Sequence, residues 1–380
     1  MLTPRENLLS VFRHEQPERI PIVGHVDPYN QPSREGMDPV LAEALGAVDW
    51  CDESTVTFSR YLGIDIMDFF APPVKIRRAC VAVERFQDGD ITTSVWHTPR
   101  GDLREVTRVC RAGHVVSSNW TEHMVKGSSD LDALASIFED EIVEADEGAL
   151  ERIRRRRALI GEDGLLTLFL PGTPLGMMFR VYSGVEALAY LWADAPAALT
   201  DLFSVMEGNY LRQVEIAARS EADAIIGMDD TSTTVISPAM FEKFSLALTD
   251  GRSDTAHNAG KFYFHHSCGL IRDLLPLYRR TRMDAVHAYT TPPTGNATVA
   301  DGRRLLGGRI TTIAGLGQLA GPMDDRAAVR ESIRSMIREA EPWDHFILGL
   351  AAYPDKTVEQ TRFVVDCCRE VQKEVAQSLR

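Results

Sequence analysis

Short apolar runs alternate along most of the chain with segments whose apolar residues recur at helical spacing. Eight of these runs have the length and composition of buried strands, and they begin near residues 20, 64, 165, 222, 262, 285, 310 and 345. Each is followed sooner or later by a predicted helix, and this alternation indicates a parallel sheet. Eight such units are the number that closes a (β/α)₈, or TIM, barrel. We therefore predict a single barrel domain over residues 1–380.

Two segments depart from this alternation. Thr3-Pro4-Arg5-Glu6 has the form of a helix start, with a capping threonine, a proline in the first turn and a glutamate three residues after the cap. It predicts an N-terminal helical cap. Between residues 74 and 126, polar and apolar residues alternate with a period of two around Gly89-Asp90 and Pro99–Asp102. That pattern is typical of antiparallel hairpins, so we predict a β-hairpin insertion after the second strand.

Composition narrows the class of protein. The chain is 44% hydrophobic and 25% charged, values ordinary for a globular protein, and its net charge is −14. This charge argues against a nucleic-acid surface, which needs clustered Lys and Arg. No run approaches the roughly 20 apolar residues that cross a bilayer, and the first residues lack a signal peptide's apolar core. We expect a cytoplasmic protein with no membrane partner; the sequence leaves its oligomeric state open.

The predicted barrel selects a set of candidate site residues, because barrel active sites lie at the carboxyl ends of the strands. Ionisable and polar residues at these ends predict a site for a small-molecule substrate. As catalytic residues we predict His25, Asp68, Asp229 and Asp230, and as substrate contacts Asp27, Phe70, Tyr289 and Gln318. For each alone, a solvated loop residue or a satisfied cap is the alternative interpretation.

The fifth strand ends in His265-His266-Ser267-Cys268-Gly269. Side chains two residues apart in a strand lie on the same face, so His266 and Cys268 project together. An imidazole beside a thiolate makes half of a tetrahedral zinc site, although most such residues are simply packed in a core. His265 has the opposite parity, so we expect it to face the surrounding helices in a hydrogen-bonded structural role.

Five motifs, in this order along the chain, resemble the uroporphyrinogen decarboxylase-like superfamily. They are Thr3–Asn7, Pro17–Pro21, Thr98–Leu103, Ile236–Phe241 and His266–Gly269. The resemblance implies a barrel fold and an enzyme. True uroporphyrinogen decarboxylases carry an arginine-rich segment after the first strand, whereas Asp27–Arg34 contains one arginine. A net charge of −14 also suits a highly anionic substrate poorly.

The resemblance therefore favours the other branch of the superfamily, the corrinoid-dependent methyltransferases. Their zinc site is similar to His-x-Cys followed by a later cysteine, and His266 and Cys268 match the first two ligands. The third would fall at Ala351, which has no ligand atom. Either His25, Asp229 or Asp230 completes the zinc site, or the pocket works without a metal.

Three hypotheses follow. In the first, the protein is a methyltransferase or demethylase that moves a methyl group between a small methylated substrate or thiol and a corrinoid (cobalamin) carried by a partner protein, with zinc assisting. The alternative is a metal-free decarboxylase or lyase of the same superfamily that acts on a small acid, a hypothesis supported by Ala351. The third is a ligand-binding barrel without catalysis, which the many acids at the barrel mouth argue against.

Overall fold

The computed structural model describes residues 2–24, 53–112, 115–315, 325–350 and 357–378. Fourteen strands occur in this part of the chain: β1 (Ile22–Gly24), β2 (Ile66–Phe70), β3 (Val74–Arg77), β4 (Ala82–Asp88), β5 (Ile91–Thr98), β6 (Gly101–Ala112), β7 (Val115–Glu122), β8 (Ile142–Ala145), β9 (Gly164–Pro171), β10 (Ala224–Met228), β11 (Phe262–His266), β12 (Ala285–Thr290), β13 (Thr311–Gly315) and β14 (Phe346–Leu350).

The α-helices of the same residues are α1 (Pro4–Phe12), α2 (Glu53–Leu62), α3 (Leu131–Asp140), α4 (Glu147–Ile160), α5 (Pro174–Met177), α6 (Gly184–Asp194), α7 (Pro196–Ala218), α8 (Pro238–Phe244), α9 (Leu246–Asn258), α10 (Leu275–Tyr278), α11 (Val299–Leu306), α12 (Arg326–Glu339) and α13 (Val358–Ser378). Short 3₁₀ turns cover Ser128–Asp130 and Gly161–Asp163, and a π-helical turn covers Met178–Tyr182. No helix in these ranges combines the length and apolar character needed to cross a lipid bilayer.

Eight parallel strands form the central barrel. Their order in the sheet is β1-β14-β13-β12-β11-β10-β9-β2, and every neighbouring pair is parallel. The two end strands approach each other closely, since the Asp65 amide donates to the Ile22 carbonyl at 2.7 Å. All eight predicted strands are present in the predicted order, which confirms the TIM-barrel fold.

Two apolar layers hold the barrel together, because alternate strand residues point inward and outward. The inward layer includes Met67, Ile226 and Phe264, and the larger outward layer packs against the helices. Helix α1 closes one end of the barrel: the Phe12 ring lies 4.8 Å from Phe264 and 5.2 Å from Phe262, at the start of β11. Thr3 and the side chain of Glu6 form the predicted capping box.

The insertion after β2 is antiparallel, as predicted, but larger than a hairpin. Strands β4, β5, β6 and β7 form a four-stranded sheet in sequence order, with the first turn at Gly89, whose φ is +56°. Strand β3 pairs with β8 at 142–145, beyond the predicted insertion. Between the barrel strands, residues 271–280 form a regular α-helix only at Leu275–Tyr278, and consecutive helical turns cover residues 174–182.

Candidate metal centre at the barrel mouth

The ends of β10 and β11 bring three ligand-type side chains together. His266 is the last residue of β11, and Asp230 follows β10 by two residues. Asp230 has a φ of +51°, a left-handed conformation that Asp adopts more readily than most residues. Its amide donates to the His266 carbonyl at 3.0 Å. This turn directs the Asp230 carboxylate toward the imidazole.

Asp230, His266 and Cys268 form a possible metal site. His266 Nε2 lies 2.8 Å from Asp230 Oδ1, and Cys268 Sγ lies 3.8 Å from the same oxygen. One ligand atom from each residue lies within 4.8 Å of the other two, and all three residues are half-buried. Sulfur, nitrogen and oxygen donors suit Zn²⁺, and three protein ligands with one open position are typical of catalytic zinc. The donor set therefore fits zinc, with Asp230 as the third ligand.

His287 holds the imidazole of His266 in place. The two residues are register partners in β11 and β12, and their Nδ1 atoms lie 2.9 Å apart. Because Nδ1 of His266 is engaged there, Nε2 is the nitrogen directed at Asp230. Metal-binding histidines commonly use the second ring nitrogen in this way. No sequence signal singled out His287, because it lies within an apolar strand.

Arg180 contacts the other oxygen of Asp230. It lies in the π-helical turn after β9, and its Nε is 2.6 Å from Asp230 Oδ2. An Nη1–H donates to the Met228 carbonyl. This leaves Oδ1 of Asp230 facing His266 and Cys268. Sequence reasoning missed Arg180, because single-turn π-helices have no simple sequence pattern, although they are frequent at functional sites.

The surroundings shift the pKa values of Asp230 and Cys268 in opposite directions. Burial by itself raises the pKa of Asp230, but the hydrogen bond from His266 and the charges of His266 and Arg180 outweigh it, so the pKa is lowered. Burial, the Asp230 charge and the hydrogen bond to Asp230 raise the pKa of Cys268 to about 11. At neutral pH the carboxylate is therefore ionised, and the thiol keeps its proton until a cation replaces it.

Asp229 does not face the mouth of the barrel. It has the opposite parity to Asp230 and is fully buried on the helix side. Its Oδ1 accepts the Thr173 amide at 2.7 Å and the Thr173 hydroxyl at 2.5 Å, and Oδ2 lies 3.3 Å from Nδ1 of His265. Burial raises the pKa of Asp229, but the charges of His265 and Arg252 and the Thr173 hydrogen bond outweigh it, leaving the pKa below its usual range. The carboxylate therefore lies in the helix layer, and His265 lies there too, as its parity predicts.

Three further predicted site residues also point into the helix layer. Asp68 is 8% exposed and pairs with Arg156 of α4, whose Nε lies 2.6 Å from Asp68 Oδ2. Phe70, with the same parity, packs against the helix-side core. Tyr289 is buried and donates to the Thr298 carbonyl at 2.7 Å, because an irregularity at Ala288, whose φ is +61°, shifts the β12 register. The side chains of Asp68, Phe70 and Tyr289 therefore lie on the helix side of the barrel wall, away from the cluster at the mouth.

Four residues of the sequence-based site lie outside the described ranges. They are the predicted catalytic residue His25, the predicted substrate contacts Asp27 and Gln318, and Ala351, where the superfamily's third cysteine would fall. The described part of the candidate site therefore consists of Asp230, His266 and Cys268, with Arg180 and His287 as supporting residues.

This geometry defines a β/α barrel with a candidate mixed-donor metal site at its strand ends. The sequence profile of the family described as "Uroporphyrinogen decarboxylase (URO-D)" matches residues 130–371, more than half of the chain. The chain therefore belongs to the uroporphyrinogen decarboxylase family. A comparison with curated proteins gives no match.

Among solved structures, a methyltransferase from Methanosarcina mazei is similar over 97% of this chain and 99% of its own, with a TM-score of 0.64 and 14% sequence identity. At this identity the likeness concerns the fold. A D-psicose 3-epimerase from Clostridium cellulolyticum H10 is 10% identical, with a TM-score of 0.38, over 59% of this chain and 84% of its own. This second likeness is too low to bear on function.

Proposed function

We propose that this chain is a zinc-assisted methyltransferase or demethylase that moves a methyl group between a small methylated substrate or thiol and a corrinoid carried by a partner protein. The observation that carries the proposal is the cluster of Asp230, His266 and Cys268, which supplies a third metal ligand where Ala351 has none. Family membership and the fold of the Methanosarcina mazei methyltransferase support it.

The roles of the chain's own residues follow from their contacts. His266 would bind the metal through Nε2 while His287 holds its Nδ1. Asp230 would bind through Oδ1 while Arg180 holds Oδ2. Cys268 would bind as the thiolate and release its proton. Bound zinc would lower the pKa of a coordinated substrate thiol, or polarise a substrate oxygen, so that an anionic nucleophile or leaving group exists near neutral pH.

In the direction toward the thiol, the corrinoid of the partner protein would supply the methyl group to the substrate thiolate: a carbon–sulfur bond would form, and the electron pair of the methyl group's former bond would stay on the corrinoid. In the demethylase direction the methylated substrate would give its methyl group to the reduced corrinoid. Neither direction consumes an external oxidant or reductant. The fourth position of a three-ligand zinc site is where the thiol or methylated oxygen would bind.

Metal analysis and a corrinoid assay test the proposal together. We expect about one zinc per chain in purified protein, and little in Asp230→Ala, His266→Ala or Cys268→Ser. Cys110→Ser, at an exposed cysteine of the insertion, is the matched control and should retain zinc. With free methylcob(III)alamin and a small thiol, the zinc protein should produce the cob(I)alamin spectrum. Zinc content unaffected by all three ligand variants would refute the site.

The alternative is a metal-free decarboxylase or lyase acting on a small acid. It is favoured by Ala351, which has no ligand atom, and by the direct contact between Arg180 and Asp230, which places a positive charge and an ionised acid together at the mouth. It predicts that turnover of a small carboxylic acid survives exhaustive chelation and needs no corrinoid. If all activity is lost when the zinc is removed, this alternative is excluded.

A further inference from the structure

Behind the candidate metal site lies a buried group of three hydroxyl side chains, which we call the hydroxyl clamp: Thr231, Ser267 and Tyr278. The Tyr278 hydroxyl lies 2.6 Å from Thr231 Oγ1 and 2.7 Å from Ser267 Oγ. Thr231 Oγ1 and Ser267 Oγ are 3.0 Å apart, and Ser267 also donates to the Thr231 carbonyl at 2.8 Å. All three residues are fully buried.

The clamp joins the two loops that carry the metal ligands. Thr231 directly follows Asp230 in the loop after β10, and Ser267 lies between His266 and Cys268 after β11. Because neighbouring residues alternate in direction, the ligands face the mouth while the clamp residues face the helices. The hydroxyl of Tyr278, at the end of α10, bonds to both loops. Each ligand is therefore adjacent in sequence to a residue of the clamp.

We propose that Thr231, Ser267 and Tyr278 are positioning residues that set the distance between the Asp230 carboxylate and the His266–Cys268 pair for metal binding. This inference rests on the proposed zinc site and deepens it. Productive geometry in such sites requires ligands held within about 0.5 Å. The separation of 3.8 Å between Cys268 Sγ and Asp230 Oδ1 spans the two loops, so it depends on what ties them together.

The clamp is itself anchored to the helix layer. His265 Nε2 lies 2.9 Å from Thr231 Oγ1, and the rings of His265 and Phe241 pack edge-on against Tyr278, with centroids 5.2 and 5.1 Å away. Backbone hydrogen bonds also connect the loops, including that from the Asp230 amide to the His266 carbonyl. Loss of one clamp hydroxyl should therefore loosen the ligand geometry without separating the loops. Changes in supporting residues of metal sites typically cost 10- to 100-fold in metal affinity.

A purely structural role would lower stability and leave metal binding unchanged, so the test measures both. Co²⁺ replaces Zn²⁺ as the probe, because its visible absorption reports coordination geometry and the sulfur ligand. Thr231→Val, Ser267→Ala and Tyr278→Phe are titrated with Co²⁺ in the full-length apoprotein, and their thermal unfolding is recorded. Thr231→Ser restores the hydroxyl. Ser253→Ala and Tyr210→Phe remove buried hydroxyls elsewhere and are the matched controls.

We expect each of the three clamp variants to bind Co²⁺ about 10- to 100-fold more weakly, with a weakened sulfur-to-cobalt charge-transfer band. Thr231→Ser and both controls should bind like the wild type, even where they unfold at lower temperature. Wild-type-like Co²⁺ affinity and spectrum in the clamp variants would overturn the positioning role while leaving the metal site intact. A wild-type protein that binds no Co²⁺ would overturn the metal site, and the positioning role with it.

Discussion

Metal binding at Cys268 should release a proton, and the size of this effect follows from the surroundings of the thiol. Burial and the neighbouring Asp230 raise the pKa of Cys268 to about 11. Each unit between the pH and a pKa corresponds to about 1.4 kcal/mol. At pH 7.5 the deprotonation of Cys268 therefore costs about 5 kcal/mol of the metal-binding free energy. The apparent metal affinity should rise steeply with pH.

The expected slope is about one decade of association constant per pH unit, because one proton leaves for each metal bound. The lowered pKa of Asp230 keeps that carboxylate ionised throughout this range, so we assign the slope to the Cys268 thiol. Zn²⁺ competition against a chelator between pH 7 and 9.5 measures the slope, and a pH indicator counts the protons. An ordinary cysteine, with a pKa near 8.5, would flatten the curve above that pH.

Cys268→Ser is the informative variant, because a serine hydroxyl does not ionise in this range; the pH dependence should disappear and the affinity should fall. Cys110→Ser, at an exposed cysteine, should keep the wild-type slope. A wild-type affinity independent of pH between 7 and 8.5 would mean that the thiolate is already formed. That result, or a plateau beginning near pH 8.5, would refute the reasoning about burial and Asp230.

Three more perturbations separate structural from functional residues. Arg156→Met leaves the buried carboxylate of Asp68 without its ion-pair partner and should lower the free energy of unfolding in urea by about 3–5 kcal/mol. The double variant Arg156→Met/Asp68→Leu should recover most of this loss. An unchanged free energy of unfolding in Arg156→Met would contradict the buried pair. The pKa of Asp229 is lowered in the folded protein, so this carboxylate stabilises the fold above the unfolded carboxyl pKa of about 3.9. That stability is lost as the pH falls through the folded pKa. Asp229→Asn should therefore flatten the acid limb of a plot of unfolding free energy against pH. Arg180→Ala should weaken Zn²⁺ binding about tenfold in chelator competition, with Arg180→Lys intermediate; equal affinities would remove Arg180 from the site.

Much of the fold could be predicted from local sequence patterns. The eight barrel strands and the antiparallel insertion arise from periodicities that the backbone imposes on any chain, and the capping box at Thr3 arises from the unpaired amides of a helix's first turn. The same period of two correctly separated His266 and Cys268 from His265, because alternation in a strand needs no knowledge of its neighbours.

Which residues make up the candidate site is determined by the tertiary structure. Asp229 and Asp230 are adjacent in sequence, and the left-handed turn at Asp230 brings its carboxylate to His266. His287 reaches the site through the register of β12 against β11, and Arg180 reaches it through a π-helical turn.

Asp68 and Tyr289 lie at strand ends but do not reach the mouth of the barrel. Both lie at the predicted strand ends, yet Asp68 turns outward to Arg156, and the irregularity at Ala288 turns Tyr289 toward Thr298. Local patterns determine which residues can share a face. Register, bulges and long-range ion pairs determine which face meets the mouth, because they depend on partners distant in the chain.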